Sequence, residues 1–210
     1  KGFYHQDREI PLEQVLSIDF FTVHPQAYWE WFAQENAREG VAPNAAHRFV
    51  ADLERAGKLS AVVTQNIDGL HQRAGSEQVL ELHGNWSRLT CTGCGEHVTL
   101  DDVDGSRTGE VPHCPACASV LRPDIVFYGE MLDSDVIEGA VRAISEADLL
   151  IVAGTSLVVY PAAGLIDYYA GERLVLMNAT PTPYDSRADL IIREPVGQVF
   201  EELGRWSRRP

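Results

Sequence analysis

Leu149-Leu150-Ile151-Val152-Ala153 runs without a polar residue and then stops at Gly154-Thr155-Ser156. Near-continuous apolar strands that end in polar residues are what a parallel sheet covered on both faces requires. Three further runs share the pattern: Ala61-Val62-Val63-Thr64, Leu174-Val175-Leu176-Met177 ending at Asn178, and Leu190-Ile191-Ile192. Helical periodicity lies between them. Val136, Ile137, Ala140, Val141, Ile144 and Ala147 recur at spacings of three and four behind a cap expected at Ser134. Ala45 to Ala56 repeats the pattern, with Phe49, Val50 and Leu53 inward and Gly57 as the stop. The alternation predicts an α/β fold built on an open, doubly wound parallel sheet, in which ligands bind at the carboxyl edge of the strands.

Composition narrows the function classes. The 210 residues are 45% hydrophobic, as in an ordinary globular chain, and no apolar run reaches the roughly 20 residues that span a bilayer. A net charge of -14 argues against a general binder of nucleic-acid backbone, which needs clustered Lys and Arg. An acidic surface suits basic partners, or serves solubility alone. There is no internal repeat and no low-complexity linker.

All four cysteines fall in one array, Cys91-Thr92-Gly93-Cys94 and Cys114-Pro115-Ala116-Cys117, spaced C-x2-C-x19-C-x2-C. Two such knuckles can close a tetrahedron around one zinc ion, and a shell of four thiolates leaves no position for substrate, so the metal is expected to be structural. The alternative is a pair of disulfides. A chain of this length can bury a core without staples, and nothing in it resembles a secretory segment. Reduced zinc-binding thiols predict a cytoplasmic protein. His97 and His113 are near enough to compete as ligands, but four thiolates fill the shell. The polar stretch between the knuckles, with Asp101, Asp102, Asp104, Gly105, Ser106, Gly109 and Glu110, reads as a small loop-rich module hung on the metal.

Thr64-Gln65-Asn66-Ile67-Asp68-Gly69-Leu70-His71 follows the Ala61 run directly, which puts its amides and carboxylate at a strand's carboxyl edge. Gln65 and Asn66 can donate and accept, and an ionised Asp68 accepts only; that set suits a sugar, a carboxamide or a positioned water. The same residues could equally form an Asx-type turn. Glu81-Leu82-His83-Gly84 follows Val79-Leu80, and its histidine is the best candidate general base of the chain, although a histidine beside a strand is more often a satisfied core residue. His47 lies on the Ala45 helix, and His71 reads as a loop-to-helix brace. Gly154-Thr155-Ser156, with Pro161-Ala162-Ala163-Gly164 opening the next helix, would make an anion cradle. Asn178 could bind a ribose hydroxyl, or could be a plain turn residue.

Taken in order, these motifs together with Leu121-Arg122-Pro123-Asp124-Ile125-Val126-Phe127-Tyr128-Gly129-Glu130 resemble the sirtuins, of prokaryotic type, over nearly the whole chain from about Gly2 to about Leu203. The resemblance implies an NAD-dependent protein-lysine deacylase. It divides the chain into a Rossmann-type NAD-binding domain over residues 1–86 and 122–210, with a helical segment near 10–58, and an inserted zinc-ribbon module over 87–121, the substrate entering a cleft between them. Gln65, Asn66, Ile67 and Asp68 would line the nicotinamide and ribose pocket, and Gly154, Thr155 and Ser156 the phosphate and adenosine side. Asn178, Ala179, Thr180 and Val196 would surround the adenosine. His83 would be the base, with Cys91, Cys94, Cys114 and Cys117 on zinc.

In that family the acyl oxygen attacks the anomeric carbon of the nicotinamide ribose and nicotinamide leaves. The histidine then deprotonates a ribose hydroxyl that attacks the resulting imidate, giving free lysine and an O-acyl-ADP-ribose. Val126 and Phe127 fall where the family pins its acyl-lysine substrate by backbone pairing. The implied partners are acetylated lysine-containing proteins, with no direct contact to nucleic acid or membrane, and a monomer is expected.

Two departures from the family pattern qualify this. The family opens with a glycine-rich strand-to-helix turn and a loop over the cofactor. No G-x-G-x-x-G stands in these residues, and Lys1-Gly2-Phe3-Tyr4 resembles the stretch after that loop. The chain as written is therefore expected to bind NAD poorly, and the activity is inferred for the parent protein. Sirtuins that prefer dicarboxylic acyl groups carry a Tyr and an Arg three apart on an early helix, where this chain has Phe32 and Glu35. Phe cannot donate to a carboxylate and Glu would repel one, so short neutral acyl groups such as acetyl are expected. Two other outcomes keep the same residues: an NAD hydrolase or mono-ADP-ribosyltransferase on this fold, or a silent zinc-containing binding module.

Overall fold

The computed structural model describes residues 10–36, 41–103 and 108–207. Lys1-Gly2-Phe3-Tyr4, Asp104, Gly105 and Ser106, singled out above, lie outside them, as does the beginning of the 1–86 domain. In chain order the helices are α1 (Leu12–Val15), α2 (Ile18–Val23), α3 (Pro25–Asn36), α4 (Ala45–Arg55), α5 (Leu70–Ala74), α6 (Ser134–Ser145) and α7 (Val196–Ser207). The strands are β1 (Val62–Thr64), β2 (Val79–Glu81), β3 (Gly84–Cys91), β4 (His97–Thr99), β5 (Leu121–Ile125), β6 (Leu150–Ala153), β7 (Leu174–Met177) and β8 (Leu190–Ile192).

The chain gathers into two compact units. One takes the described residues up to Val41, Asn66–Gly69 and His83–Leu132; the other takes Ala42–Gln65, Leu70–Leu82 and the described residues from Asp133 onward. Helices α1–α3 thus belong with the cysteine-bearing strands, and the boundaries differ from a cut at 86 and 122. The reason is apolar: Tyr28, Trp29 and Phe32 share one face of α3 and are completely buried in a core with Leu89, Leu121 and Phe127. Pro25 opens α3 where the missing N–H has no helical partner to lose. The rings pack edge to face, Trp29 on Phe32 at 4.9 Å and Tyr28 on Phe21 at 5.1 Å, and each such side chain contributes roughly 1.5–3 kcal/mol by burial. In this unit β4, β3 and β5 form an antiparallel sheet in that order, with a register shift between Asn85 and Leu89.

The other unit carries the parallel strands: β1 beside β2, and β6, β7, β8 in sequence order. All four expected runs are strands, and β7 is the most buried of them, with Leu174, Leu176 and Met177 in the interior. Helix α6 buries Ala140 and Ile144 against a core that includes Leu82, Leu165 and Leu176.

Two local expectations are corrected. The cap of α6 is Asp133, not Ser134: its carboxylate accepts the N–H groups of Asp135 at 2.8 Å and Val136 at 3.1 Å, and a negative charge suits a helix start. The segment after Pro161 is a 3-10 helix, Ala162–Tyr168, and not an α-helix. Its turns close on i→i+3 bonds such as Gly164 N–H to Pro161 O at 3.0 Å, as suits a stretch where a glycine and a flanking proline make a poor α-helical nucleus.

Candidate functional site

In the parallel-sheet unit, the ends of β1 and β6 bring two of the predicted loops together. Gln65 leaves β1 and its Nε2 donates to Thr155 Oγ1 at 3.4 Å, and Thr155 Oγ1 also accepts the Leu157 N–H at 3.2 Å. Gly154 sits at φ +66 with its N–H on Met177 O at 2.9 Å. Open space surrounds the place a Cβ would take, so it is the backbone angle and not crowding that asks for glycine there. Ser156 is exposed beside it. The helix that follows this loop is the 3-10 helix Ala162–Tyr168.

At the end of β7, Asn178 holds its own turn. Its Nδ2 donates to Thr180 O at 2.9 Å and to Thr180 Oγ1 at 3.3 Å. Arg193 closes the turn by donating to the carbonyls of Asn178 at 2.9 Å and Thr180 at 3.0 Å. Ala179 is exposed in that turn, and Val196 is the first residue of α7. His47 accepts the Asn44 N–H in a capping box at the start of α4, and its ring lies 4.7 Å from that of His71 in a tilted arrangement.

The other unit holds Asn66, Ile67, Asp68 and His83. Ile67 packs on the aromatic core, and its carbonyl accepts the Trp86 N–H at 3.2 Å, which lays the Asn66–Gly69 segment along the start of β3. Gly69 lies at φ +66, and a Cβ there would come within 3.2 Å of Asn85 Nδ2. Asn85 is buried, and its Oδ1 accepts from Ser87 N at 2.9 Å and Ser87 Oγ at 2.7 Å. Sequence reading passes over Asn85; its only signal is a polar residue two places beyond a candidate base. His83 is half-buried, and its carbonyl accepts the Val126 N–H at 3.0 Å. At Gly84, φ +75, a Cβ would stand 1.9 Å from Asp124 O. Bare backbone on β3 thus abuts β5 immediately after His83.

The four thiols come together as the spacing requires. All four Sγ atoms lie within 4.8 Å of one another, with Cys91 and Cys117 at 3.4 Å and Cys94 and Cys114 at 3.7 Å. Bonded sulfurs would stand about 2.05 Å apart, so these are not disulfides. Ligands about 2.3 Å from a tetrahedral zinc ion sit roughly 3.8 Å from one another, which these separations match. Ionisation is uneven. Hydrogen bonds from Ser119, its hydroxyl first and then its amide, pull the Cys117 thiol down to about 6. At Cys94 the Glu96 amide pulls down, but crowding by Cys117 and Cys91 outweighs it and pushes the thiol up to about 12. A cation among the four sulfurs would let them ionise together, which is the chemistry of a zinc site. His113 Nδ1 pairs with Ala118 O at 2.9 Å and His97 Nδ1 with Thr90 Oγ1 at 2.9 Å, so both rings have other partners.

The Sir2 family pattern matches residues 1–161. This chain belongs to the Sir2 family. An NAD-dependent protein deacetylase of Clostridium acetobutylicum is 49% identical over 193 residues, 92% of this chain and 78% of that protein. A solved Sir2 with p53 peptide and NAD+ is 40% identical with a TM-score of 0.81, covering 99% of this chain and 85% of its own. A Sir2 in complex with the inhibitor EX-527, 2'-O-acetyl-ADP-ribose and deacetylated p53 peptide is 41% identical with a TM-score of 0.79, covering 94% and 86%. The Sir2 fold is therefore the Rossmann-type α/β architecture read from the strand ends, with a four-cysteine zinc site.

In this Sir2 chain the segment after β5 is tightly held. Arg122 meets Glu130 in a two-pronged ion pair, Nη1–Oε1 2.8 Å and Nη2–Oε2 2.8 Å. Its Nη2 also donates to Ile125 O at 3.1 Å, and the guanidinium lies over the Phe127 ring at 5.1 Å. Glu130 Oε2 accepts the Phe127 N–H at 3.0 Å. Burial pushes the Glu130 carboxyl up, but the bonds from Arg122 and the Phe127 amide prevail and hold it below the usual carboxylate range. The Arg122 guanidinium is raised in turn by Glu130. Phe127 is buried, stacked on Phe21 at 5.2 Å. Phe32, expected near the acyl group, is 1% exposed within the aromatic core, 5.9 Å from Trp86, and Glu35 is buried one turn further along α3.

Among the described residues, no helix is long and apolar enough to cross a membrane.

Proposed function

We propose that this chain carries the catalytic body of an NAD-dependent protein-lysine deacetylase, which takes acetyl groups from lysine side chains and yields nicotinamide, O-acetyl-ADP-ribose and free lysine. The observation that carries the reading is the bond from the Val126 N–H to the His83 carbonyl at 3.0 Å, with bare backbone at Gly84 beside it. It ties the candidate base to the segment that would pair with an acyl-lysine peptide. The named activity of the Clostridium acetobutylicum relative and the peptide, NAD+ and O-acetyl-ADP-ribose bound to the solved Sir2 structures support it.

When bound, NAD supplies an electrophilic anomeric carbon and a nicotinamide leaving group. The chain's own groups do the rest. Gln65, Asn66 and Asp68 orient the carboxamide and ribose, since their amides can both donate and accept and the carboxylate accepts. Gly154, Thr155 and Ser156 hold the phosphate and adenosine side, with Asn178, Ala179, Thr180 and Val196 around the adenosine. His83 accepts the proton of a ribose hydroxyl through a neutral ring nitrogen, which demands heavy-atom approach to about 3 Å. Val126 presents its carbonyl to the peptide, and Phe127 packs beside the acyl-lysine stem. Zinc on Cys91, Cys94, Cys114 and Cys117 maintains the fold and takes no step, because four thiolates leave it no open position.

The acyl group is short and neutral, with Phe32 and Glu35 on the helix that offers no positive charge to a dicarboxylic chain. The protein works in the cytoplasm on acetylated proteins, where its thiols stay reduced for the metal. The test is nicotinamide release from NAD with an acetyl-lysine peptide, against the same reaction lacking peptide. Peptide-dependent release is the expected result; release without peptide means an NAD hydrolase. Desuccinylation as efficient as deacetylation would refute the acyl preference.

A further inference from the structure

The segment from Leu121 to Glu130 has more fastening than a strand end needs. Arg122 and Glu130 grip each other through two bonds of 2.8 Å, and together they take hold of three more groups: the Ile125 carbonyl, the Phe127 amide and the face of the Phe127 ring. The Glu130 N–H returns to Phe127 O at 3.0 Å, closing the turn from the other side. Both charged side chains are only 25% exposed, so water competes weakly with the pair. Val126 sits inside this loop with its N–H on His83 O. Neither charge is required by packing alone, since the surrounding core of Phe21, Tyr28 and Phe127 is aromatic.

We infer that Arg122 and Glu130 are positioning residues for the protein substrate: the ion pair fixes the turn from Ile125 to Phe127, where the Val126 N–H and both backbone groups of Phe127 are held within the chain, so that the Val126 carbonyl is presented to an acyl-lysine peptide. The inference rests on the reading of Val126 and Phe127 as the peptide-pairing segment. Its physical basis is preorganisation. A segment already held in place loses little further freedom on binding, whereas a loose one must be ordered by the peptide itself. The effect therefore belongs to peptide affinity. A planar guanidinium is needed because it serves the carboxylate bidentately and stacks on Phe127 at once, which an ammonium cannot do.

The test compares the wild-type protein with Arg122→Lys and Glu130→Gln, each first shown to retain its zinc and its thermal midpoint to within a few degrees. The expected result is a KM for acetyl-lysine peptide raised about tenfold or more in both variants, with the KM for NAD and kcat at saturating peptide changed less than about twofold. Amide hydrogen exchange of Val126 and Phe127 is expected to quicken in both. If the wild type releases nicotinamide with peptide but both variants keep its peptide KM, or lose kcat with KM unmoved, the positioning role is wrong while the deacetylase reading stands. Unchanged exchange at Val126 and Phe127 would overturn the clamp whatever the kinetics. A wild type that shows no peptide-dependent release removes the deacetylase reading, and the inference with it.

Discussion

A single methyl group at Gly84 would lie 1.9 Å from the carbonyl oxygen of Asp124, far inside contact distance, on a backbone at φ +75 that L side chains avoid. Neither neighbour can yield, because β3 and β5 pair there, Gly84 against Ile125. Gly84→Ala should cost several kcal/mol from strain and overpacking together, lower the thermal midpoint accordingly, and shift His83 enough to suppress turnover. A variant with wild-type midpoint and activity would show that the two strands are not held so closely. His83→Ala makes the complementary case: turnover should fall below a few per cent while zinc content and thermal midpoint stay near wild type. His83 is a candidate in the sequence only through the motifs around it, since a lone histidine beside a strand is more often a core residue. The constraint on Gly84 was legible only as freedom of approach, since the oxygen it must avoid belongs to a residue forty places along. Arg122 and Glu130 stood in a quoted motif, but nothing in their spacing of eight reveals that a turn folds one onto the other.

Among the elements, α6 gives the sharpest contrast between two adjacent candidates for one role. Asp133→Ala should destabilise by about 1 kcal/mol, and Ser134→Ala by a few tenths, measured by chemical denaturation. The reverse ranking would restore Ser134 as the cap. Strand β7 was readable because every residue is apolar, and α6 because its stripe repeats at three and four. Strand β3 was not, because the register shift between Asn85 and Leu89 breaks the alternation that marks a half-buried strand. The turn that follows β5 adds a pH dependence. Folding lowers the Glu130 carboxyl, so the unfolded chain binds the proton more readily than the folded one. Its contribution to stability is complete above the unfolded glutamate pKa of about 4.3 and is lost as pH falls through the lower folded value. Glu130→Gln should therefore flatten the fall in stability below that pH and leave its slope near neutrality unchanged.

Across the whole molecule, the metal reaches further than the ribbon that binds it. Cys91 and Cys114 belong to the same core as Tyr28, Trp29, Phe32 and Phe127, so the zinc thiols and the aromatic face of α3 share one interior. Three of the four tryptophans, Trp29, Trp31 and Trp86, lie in or against that core, while Trp206 is exposed on α7. Structural zinc contributes on the order of 10 kcal/mol to such a domain. Stripping it with a chelator should shift tryptophan emission to the red and abolish the near-ultraviolet dichroism of these rings. Unchanged spectra after verified zinc loss would show that the aromatic core stands without metal. The parallel sheet and the cysteine tetrad were both legible at this scale, each from one local pattern. The membership of α1–α3 in the cysteine unit was not, since it depends on which core accepts three large rings.

That unit is assembled from stretches of chain that are far apart in sequence, with the residues of α4, β1, α5 and β2 passing through before β3 appears. On a ribosome adding about 5–20 residues per second, α3 emerges several seconds ahead of the strands that will cover it. Throughout that interval Tyr28, Trp29 and Phe32 present bare aromatic surface to the cell. Part of that cover, Leu121 and Phe127, follows even the last cysteine, so the nascent chain already carries all four thiols while the aromatic face of α3 is still incompletely covered.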